Sequence, residues 1–406
     1  MIGPFAPRTA GTRPRHRTAA FESVKGTILM ERKRTVKILA VLAAILTLAA
    51  CGRKTAKQTF EFAVLQDTKF DAVYLDTSID DFIAAGFHFG DSCDVAFSNG
   101  LAFEDIPFYS GYYVRSGMPL VVGYPGYEYI AVTRASGGLW TESGLTENDT
   151  ATVTLHEAGK YRNEQETLNQ SYSNNREDYR DDARFANFRA LSGGRLKEDF
   201  LYRGASPVDN QKNRAACADA LLRQAGIRFI LDLADSEEEY LAYREEPGFS
   251  SFYAAGLYDE GGMVLLDMGA AYGSDAFKQK LAGGLRSMLS ADGPVYIHCL
   301  EGKDRTGFVC FLLEALAGAS YDEMQRDYMK TYENYYGITQ TGTPEKYSAV
   351  VSVYFDAFAA YLHGTEDSVA LASADYVRDA VDYLLDAGMT AEEIETLRSR
   401  ITAPVS

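Results

Sequence analysis

The alternation of strand-like and helix-like segments from Asn187 onward most constrains how this chain can fold. Short apolar runs at residues 228–233, 263–267 and 294–298 have the length and composition of buried strands, and helix-like segments lie between and after them. Strands that alternate with helices pair in parallel, because each crossover returns the chain to the same end of the sheet. We therefore expect an α/β domain over residues 185–406, with a central, mainly parallel sheet flanked by helices.

Capping signals predict where several helices begin and end. The pair Ser206-Pro207 has the form of an N-cap and first helical residue, and the helix that it begins is expected to end at Gly226. Further helices are expected over residues 274–289 and 308–316. A helix near the C-terminus should begin at Thr390-Ala-Glu-Glu393, which has the spacing of a capping box.

Residues 60–161 follow a different pattern. Strand-like runs at residues 119–123, 129–133 and 150–155 are separated from their neighbours by Gly, Pro, Asn and Asp at short intervals, which is typical of β-structure. We expect a small β-rich accessory domain here, without catalytic residues. The next segment, residues 162–184, is polar and is expected to be a linker.

Charge is distributed unevenly along the 406 residues. The whole chain has 40 basic and 57 acidic side chains, a formal net charge of -17, but residues 1–50 hold nine of the basic and only two of the acidic ones. The strongly acidic composition of the residues after position 50 argues against sequence-independent nucleic-acid binding, which depends on clustered Lys and Arg. We expect no nucleic-acid partner, and the basic N-terminal segment needs a separate explanation.

That segment has the pattern of a secretory signal. A charged stretch from Met30 leads into an apolar run, Ile38 to Ala50, which is too short for a comfortable membrane span. Leu48-Ala-Ala-Cys51 resembles the lipobox of bacterial lipoproteins, which implies lipidation of Cys51; the alternative is an uncleaved N-terminal anchor. Residues 1–29 precede a complete signal and are expected to reflect a mis-called start. The body should then lie outside the cytoplasm, lipid-anchored to the bacterial cell membrane.

Few cysteines and histidines are available for cross-linking or metal binding. The chain contains only five cysteines and five histidines. So few cysteines do not make a disulfide framework, even in an oxidising compartment. The histidines lack metal-ligand spacing, so we expect neither a metal site nor a cofactor.

Residues 298–307, His-Cys-Leu-Glu-Gly-Lys-Asp-Arg-Thr-Gly, lie between the last predicted strand and a helix. A loop that enters a helix N-terminus directs N–H groups inward and can hold a phosphate dianion. The same field stabilises a thiolate, which makes Cys299 a candidate nucleophile. Arg305, six residues later, can bind two phosphate oxygens at once. Together these features indicate phosphoryl transfer.

This segment resembles the signature of the cysteine-dependent protein tyrosine phosphatases. Its Gly-Lys-Asp-Arg-Thr-Gly form resembles the bacterial branch noted for activity on phosphotyrosine and, in some members, on phosphoserine, phosphothreonine and phosphoinositides. The resemblance covers about residues 185–401 and implies a phosphatase-like sheet fold. The chain departs from the family at Ala234, which replaces an arginine, and after Arg203, where Gly204-Ala205 precedes the expected serine. The other matching segments are Asn187-Phe-Arg189, Gly193-Gly194, Leu201-Tyr-Arg203, Gly226-Ile227, Leu231-Asp-Leu233, Asp327-Tyr328 and residues 387–394.

The resemblance also implies roles for individual residues. Cys299 would attack phosphorus and form a phosphocysteine intermediate, and Thr306 would donate a hydrogen bond to the thiolate. His298 would orient the loop from beneath. The phosphate-binding residues would be Leu300, Glu301, Gly302, Lys303, Asp304 and Arg305, with Lys303 as a second cation at the rim and the Glu301 side chain free to point to solvent.

A general acid is needed to protonate the leaving group and then to activate water. The resemblance makes Asp232 the first candidate. Asp267 is the second, because it ends a strand where tyrosine phosphatases commonly carry a mobile acid loop, and Asp304 is the third. The sequence does not choose among these three aspartates.

These features predict an exported protein tyrosine phosphatase that hydrolyses phosphomonoesters, with possible dual specificity or phosphoinositide activity. Its partners would be a phosphotyrosine protein or another phosphomonoester, and a membrane. One alternative is an inositol-polyphosphate phosphatase of the phytate type. The other is a non-catalytic phospholigand-binding module, against which the joint presence of Cys299, Arg305 and Thr306 argues, because binding alone does not require a thiolate.

Overall fold

The computed structural model describes residues 58–124, 127–135 and 137–404. The predicted signal and the lipidation site Cys51 lie outside these residues. Among the helices of the described ranges, none combines the length and the apolar character needed to cross a bilayer.

The N-terminal part of the described chain is a closed β-barrel. Its seven strands in the described residues follow the order β1-β2-β6-β5-β4-β3-β7, and β7 pairs with β1 to close the barrel. All neighbours are antiparallel except β4 and β5. The expected β-rich character of this region is confirmed. The strands are β1 (Thr59–Gln66), β2 (Val73–Leu75), β3 (Ser92–Phe97), β4 (Ala102–Tyr109), β5 (Pro119–Val122), β6 (Ile130–Arg134) and β7 (Thr150–Glu157).

Aromatic side chains fill the barrel interior. Helix α1 (Ile79–Ala84) contributes Phe82, whose ring stacks on Phe87 at a centroid distance of 4.2 Å and meets Phe108 edge-on at 4.9 Å. Such pairs add to the burial energy of each ring. A second short helix, α2 (Leu139–Ser143), covers the barrel beside β6.

The second part of the chain is mixed α/β, as expected. A sheet of five strands in the described residues has the order β11-β10-β12-β9-β8. The four strands from β11 to β9 are parallel to one another, and β8 is an antiparallel edge strand. The strands are β8 (Arg189–Ala190), β9 (Leu201–Gly204), β10 (Phe229–Asp232), β11 (Met263–Leu265) and β12 (Val295–His298).

Helices surround this sheet, and α9 is the most deeply placed. Every residue of α9 from Thr306 to Leu316 is buried, and all of them except Thr306 and Glu314 are apolar or glycine. A π-helical turn, Val351–Phe355, joins α11 to α12. The helices are α3 (Arg162–Leu168), α4 (Asp182–Phe185), α5 (Ala215–Gln224), α6 (Glu237–Glu245), α7 (Phe252–Asp259), α8 (Asp275–Met288), α9 (Asp304–Leu316), α10 (Tyr321–Tyr336), α11 (Pro344–Val350), α12 (Asp356–His363), α13 (Ser368–Ala372), α14 (Tyr376–Asp386) and α15 (Ala391–Ile401).

The helix predictions agree with the structure in three places and fail in one. Ser274 caps α8, Thr390 and Glu393 form the capping box of α15, and the apolar helix at 308–316 begins earlier, at Asp304. The prediction that Ser206 begins a helix was wrong, because α5 begins only at Ala215. The Ser206 hydroxyl instead accepts hydrogen bonds from the amides of Val208 and Asp209, which closes a local turn that competes with a helix.

Candidate active site

The loop that follows β12 is held in place by close backbone packing. Gly302 has φ +65°, and a Cβ atom at this position would overlap the carbonyl group of Gly204 at the end of β9. Only glycine satisfies both conditions, since it tolerates positive φ and carries no side chain. Cys299, at the start of the loop, is only 4% exposed.

The loop carbonyl groups are bound from outside the loop. Leu300 O accepts the Ser206 amide at 3.0 Å, and Glu301 O accepts the Tyr335 hydroxyl at 2.8 Å. Gly302 O accepts from Arg203 Nη2 at 2.8 Å and from Asn187 Nδ2 at 3.2 Å. A trans peptide directs its N–H away from its C=O. Carbonyls held on the outside therefore favour amides that face the inside of the loop, where a phosphate would bind.

A buried ionic network supports this arrangement. Asp327 of α10 lies 2.6 Å from Arg189 Nε and 2.6 Å from Arg203 Nη1. Burial opposes the charge of Asp327, but attraction to the two arginines outweighs it and lowers the pKa of that carboxyl. Such a network contributes mainly geometric precision, because desolvation offsets much of the attraction. Asn187, Arg189, Arg203 and Asp327 are all positions that carried the sequence resemblance.

The guanidinium group of Arg305 is positioned by a neighbouring loop. Arg305 Nη1 donates a hydrogen bond to Met268 O at 2.8 Å, and Met268 lies just after β11. Arg305 belongs to the first turn of α9. Its backbone is therefore fixed by the helix, and its side chain is fixed by the loop that follows β11. The segment in which we expected a mobile acid loop thus accepts a hydrogen bond from Arg305.

Thr306 has a buried hydroxyl without a hydrogen-bond partner in the described chain. Such groups cost free energy and are rare unless they serve a role. Thr306 follows Arg305 at the start of the helix that the Cys299 loop enters, so its free O–H suits the predicted bond to the thiolate.

Lys303 and Glu301 form a charged pair at the side of the loop. Lys303 Nζ lies 3.5 Å from Glu301 Oε2 and donates to the Tyr336 hydroxyl at 3.3 Å. Burial disfavours the Lys303 charge, but nearby Asp304, Tyr336 and Glu301 together raise its pKa well above the ordinary value. The expectation that Glu301 points to solvent was wrong. Its side chain is 15% exposed and accepts a hydrogen bond from Tyr172.

Sequence reasoning missed Tyr172, because it lies in the polar segment predicted as a linker. That segment contains α3, a 3-10 turn at Arg176–Asp178 and α4. The Tyr172 ring also stacks on Tyr335 at 5.0 Å. A lone tyrosine in a polar stretch carries no local signal that it reaches a site more than a hundred residues away.

Asp232 pairs in the sheet with His298, the residue before Cys299, and is fully buried. Its Oδ1 accepts the amides of Ala234 at 2.8 Å and Asp235 at 3.1 Å, and its Oδ2 is 3.7 Å from His298 Nε2. Burial raises the pKa of both Asp232 and Asp235, and it lowers the pKa of His298 to about 4. Burial thus shifts each of these three groups toward its neutral form.

Asp267 and Asp304 are both exposed, but in different settings. Asp267 lies after β11, where its carboxylate forms a 3.1 Å ion pair with Lys280. Asp304 is the first residue of α9 and lies within the loop itself, between Lys303 and Arg305. Desolvation by the surrounding protein raises the pKa of Asp304, although 64% of its side chain remains accessible.

These features place Cys299, Arg305 and Thr306 between the carboxyl end of a parallel strand and the first turn of a buried helix. The model of the tyrosine phosphatase family matches residues 179–403. The chain belongs to that family and is a phosphatase, a hydrolase of phosphomonoesters. Among curated protein sequences, none matches this chain. Across the described residues, no group of three or more His, Cys, Asp and Glu side chains is placed to hold a metal ion.

Proposed function

We propose that the protein is a protein tyrosine phosphatase that acts through a phosphocysteine intermediate. The observation that carries this proposal is the loop from Cys299 to Arg305, whose carbonyl groups are held outward and whose arginine is anchored by Met268. Preorganised donors of this kind stabilise the charge that develops on the transferring phosphoryl group.

The reaction proceeds in two displacements. The Cys299 thiolate attacks phosphorus, the bond from phosphorus to the tyrosyl oxygen breaks, and that oxygen takes a proton from a general acid. A water molecule then attacks the phosphocysteine and gives a proton to the same carboxylate, and the S–P bond breaks to release phosphate and the thiolate. The Thr306 hydroxyl stabilises this thiolate as it leaves.

Asp304 is the best candidate for the general acid. Asp232 has no exposed surface and its Oδ1 already accepts two backbone amides. Asp267 is paired with Lys280 outside the loop. Asp304 combines a solvent-accessible carboxyl group with a raised pKa, so a larger fraction of it carries the proton that the leaving group needs.

The arrangement of charges disfavours an inositol-polyphosphate substrate. Lys303 is the second cation of the loop, but it is 18% exposed and its charge is shared with Glu301 and Asp304. A ligand with several phosphates would meet these carboxylates next to the single arginine.

Hydrolysis of a phosphotyrosine peptide under reducing conditions tests the proposal. We expect turnover by the unmodified protein and none by Cys299→Ser, whereas Cys217→Ser, a half-buried cysteine of α5, should keep full activity. If none of the three proteins turns over the peptide and all three bind it tightly, the proposed enzymatic activity is refuted. That result would support a phospholigand-binding module. Inositol hexakisphosphate in the same assay tests the other alternative.

We also propose that Cys51 carries a lipid that anchors the protein to the outer face of the bacterial cell membrane. The support is the signal-like segment that precedes Cys51 in the sequence. Metabolic labelling with a fatty acid analogue should modify the protein, and Cys51→Ala should abolish the label. Equal labelling of the variant would contradict the anchor site.

A further inference from the structure

The segment that leads from the β-barrel into the α/β domain is fastened at both of its ends. It comprises residues 169–174 and follows α3. At its start, Asn169 Oδ1 accepts the hydroxyl of Tyr113, a barrel residue, at 3.1 Å. At its end, Arg214 Nη1 donates to Asn174 Oδ1 at 2.7 Å. The central residues of the segment are therefore held between two anchors.

Tyr172 lies between these anchors, and its ring packs among aromatic and cationic side chains. The ring stacks on Tyr335 at a centroid distance of 5.0 Å and meets Tyr336 edge-on at 5.3 Å. The guanidinium carbon of Arg214 lies 5.0 Å from the ring centroid, and Lys212 Nζ lies 5.9 Å from it. Aromatic pairs and cation–π contacts have preferred geometries, so these four neighbours fix the direction of the Tyr172 hydroxyl.

The Tyr172 hydroxyl reaches the phosphate-binding loop itself. It donates to the side chain of Glu301, the second residue after Cys299. Glu301 Oε1 also lies 3.8 Å from Lys212 Nζ, and Oε2 lies 3.5 Å from Lys303 Nζ. Burial raises the pKa of the Glu301 carboxyl, but these three partners outweigh burial and lower it. The loop therefore contains a carboxylate that is ionised at neutral pH.

A carboxylate in this loop opposes phosphate binding, because two negative groups repel each other. The Tyr335 hydroxyl donates to Glu301 O at 2.8 Å, and the Tyr335 ring stacks on Tyr172. The two stacked tyrosines thus hold both the carbonyl group and the carboxylate of Glu301 toward themselves. Because the next peptide is trans, the Gly302 amide is directed away from them. This arrangement separates the negative charge from the amides that would bind phosphate.

We propose that Tyr172 is a positioning residue that turns the Glu301 carboxylate away from the bound phosphate and so raises the affinity of the loop for phosphomonoesters. The inference rests on the proposed function and deepens it. Tyr172 precedes the part of the chain that matches the phosphatase family, so the family domain alone does not supply this contact. Without the hydroxyl, the carboxylate loses a donor and turns toward the phosphate, which weakens the binding of substrate and transition state alike.

Tyr172→Phe tests the inference, because it removes the hydroxyl and keeps the ring. For a phosphotyrosine peptide we expect KM to rise about tenfold and kcat to change by less than about twofold, since substrate and transition state lose the same interaction. Tyr258→Phe is the matched control. It removes a hydroxyl of α7 that donates to Glu237 Oε1 of α6 at 2.8 Å, and it should leave both constants unchanged.

Binding of orthophosphate to the full chain carrying Cys299→Ser separates the effect of charge from that of packing. In this background, calorimetry should show that Tyr172→Phe raises the Kd about tenfold. Glu301→Gln removes the charge at nearly constant shape. When Glu301→Gln is also present, we expect Tyr172→Phe to change the Kd by less than about twofold, because no carboxylate is left to position.

The possible results separate the inference from the proposed function. If Tyr172→Phe leaves the Kd unchanged, or raises it equally with and without Glu301→Gln, the positioning role is refuted while the phosphate site stands. A fall in kcat at constant KM would refute it as well. If the Cys299→Ser protein with Tyr172 intact does not bind orthophosphate, the phosphate cradle of the proposed function fails and the inference fails with it.

Discussion

At the scale of single residues, the choice among three aspartates depends on burial and pairing. Asp232 is enclosed behind the loop, Asp267 is paired with Lys280, and only Asp304 is both inside the loop and accessible. The raised pKa of Asp304 favours the protonated form that an acid catalyst needs.

Asp304→Asn should therefore lower kcat for a phosphotyrosine peptide by about 100- to 1000-fold. An aryl ester whose leaving group is a stable anion should be affected less, because it needs no proton. In the parent, activity should fall as the pH rises through the Asp304 pKa, and this alkaline decline should disappear in the variant. Rate profiles against pH check both effects. Asp267→Asn is the control, and a larger loss there would transfer the role to Asp267.

The buried acids beneath the loop predict a pH-dependent stability. Asp235 lies near Asp232, Asp209 and His298, and burial raises its pKa above the ordinary aspartate value. A folded state that holds this proton more tightly is most stable at low pH and loses stability as the pH rises through the raised pKa. Asp235→Asn should thus increase the free energy of unfolding at pH 8 by roughly 1–3 kcal/mol, with a much smaller gain at pH 4. Denaturant titrations of the parent and the variant at the two pH values measure this difference in the free energy of unfolding. An increase of the same size at both pH values would contradict the ionisation argument.

At the scale of elements, the loop from Cys299 to Arg305 depends on the approach of β9 to β12. The two strands are parallel neighbours, and Gly204 at the end of β9 touches Gly302 in the loop. The loop conformation is thus fixed by the sheet and not by its own residues alone. Its carbonyl contacts with Arg203 and Tyr335 come from β9 and α10.

Gly302→Ala should lower kcat/KM by about 100-fold, because a small displacement of the loop misplaces the reacting groups. Gly337 provides a matched control, since it has the same φ of +65° and open space where a Cβ would lie. Gly337→Ala should cost about 1 kcal/mol of stability and leave kcat/KM unchanged. Similar kinetics for the two variants would show that strain at positive φ, and not overlap with Gly204, limits the site.

At the scale of the whole molecule, the described residues belong to one compact unit, and the barrel bonds to several parts of the α/β domain. The four described cysteines are unpaired. Stability therefore comes from the cores of the barrel and the sheet, without covalent cross-links among these residues.

We expect the melting temperature to be the same with and without reductant. Burial raises the pKa of the Cys310 thiol to about 12 and that of Cys93 further, so both should resist oxidation. Mild peroxide should abolish turnover by oxidising Cys299, and a thiol should restore it. Scanning calorimetry and activity measured on the same samples check this expectation. A melting temperature that falls on reduction would reveal a structural disulfide.

The sequence by itself determined the elements and the chemistry that depend on local spacing. The 23 residues from Pro294 to Leu316 contain a strand, a cysteine, an arginine six residues after it and an apolar helix. Because these features are close in sequence, local patterns suffice to predict their arrangement. The β-rich pattern of residues 60–161 is likewise visible in short runs. The Ser206 prediction failed for a physical reason, because its hydroxyl and amide are engaged by a turn and by Leu300, and a capping signal cannot reveal that competition.

Only the tertiary structure decided which distant groups meet the loop. Tyr172 bonds to Glu301 across 129 residues, and Arg203 bonds to Asp327 across 124. Contacts over such separations are set by how the barrel and the α/β domain bury their apolar faces. The same burial encloses Asp232 and leaves Asp267 and Asp304 accessible. Local patterns hold no information on that packing, whereas hydrophobic burial acts on the chain as a whole.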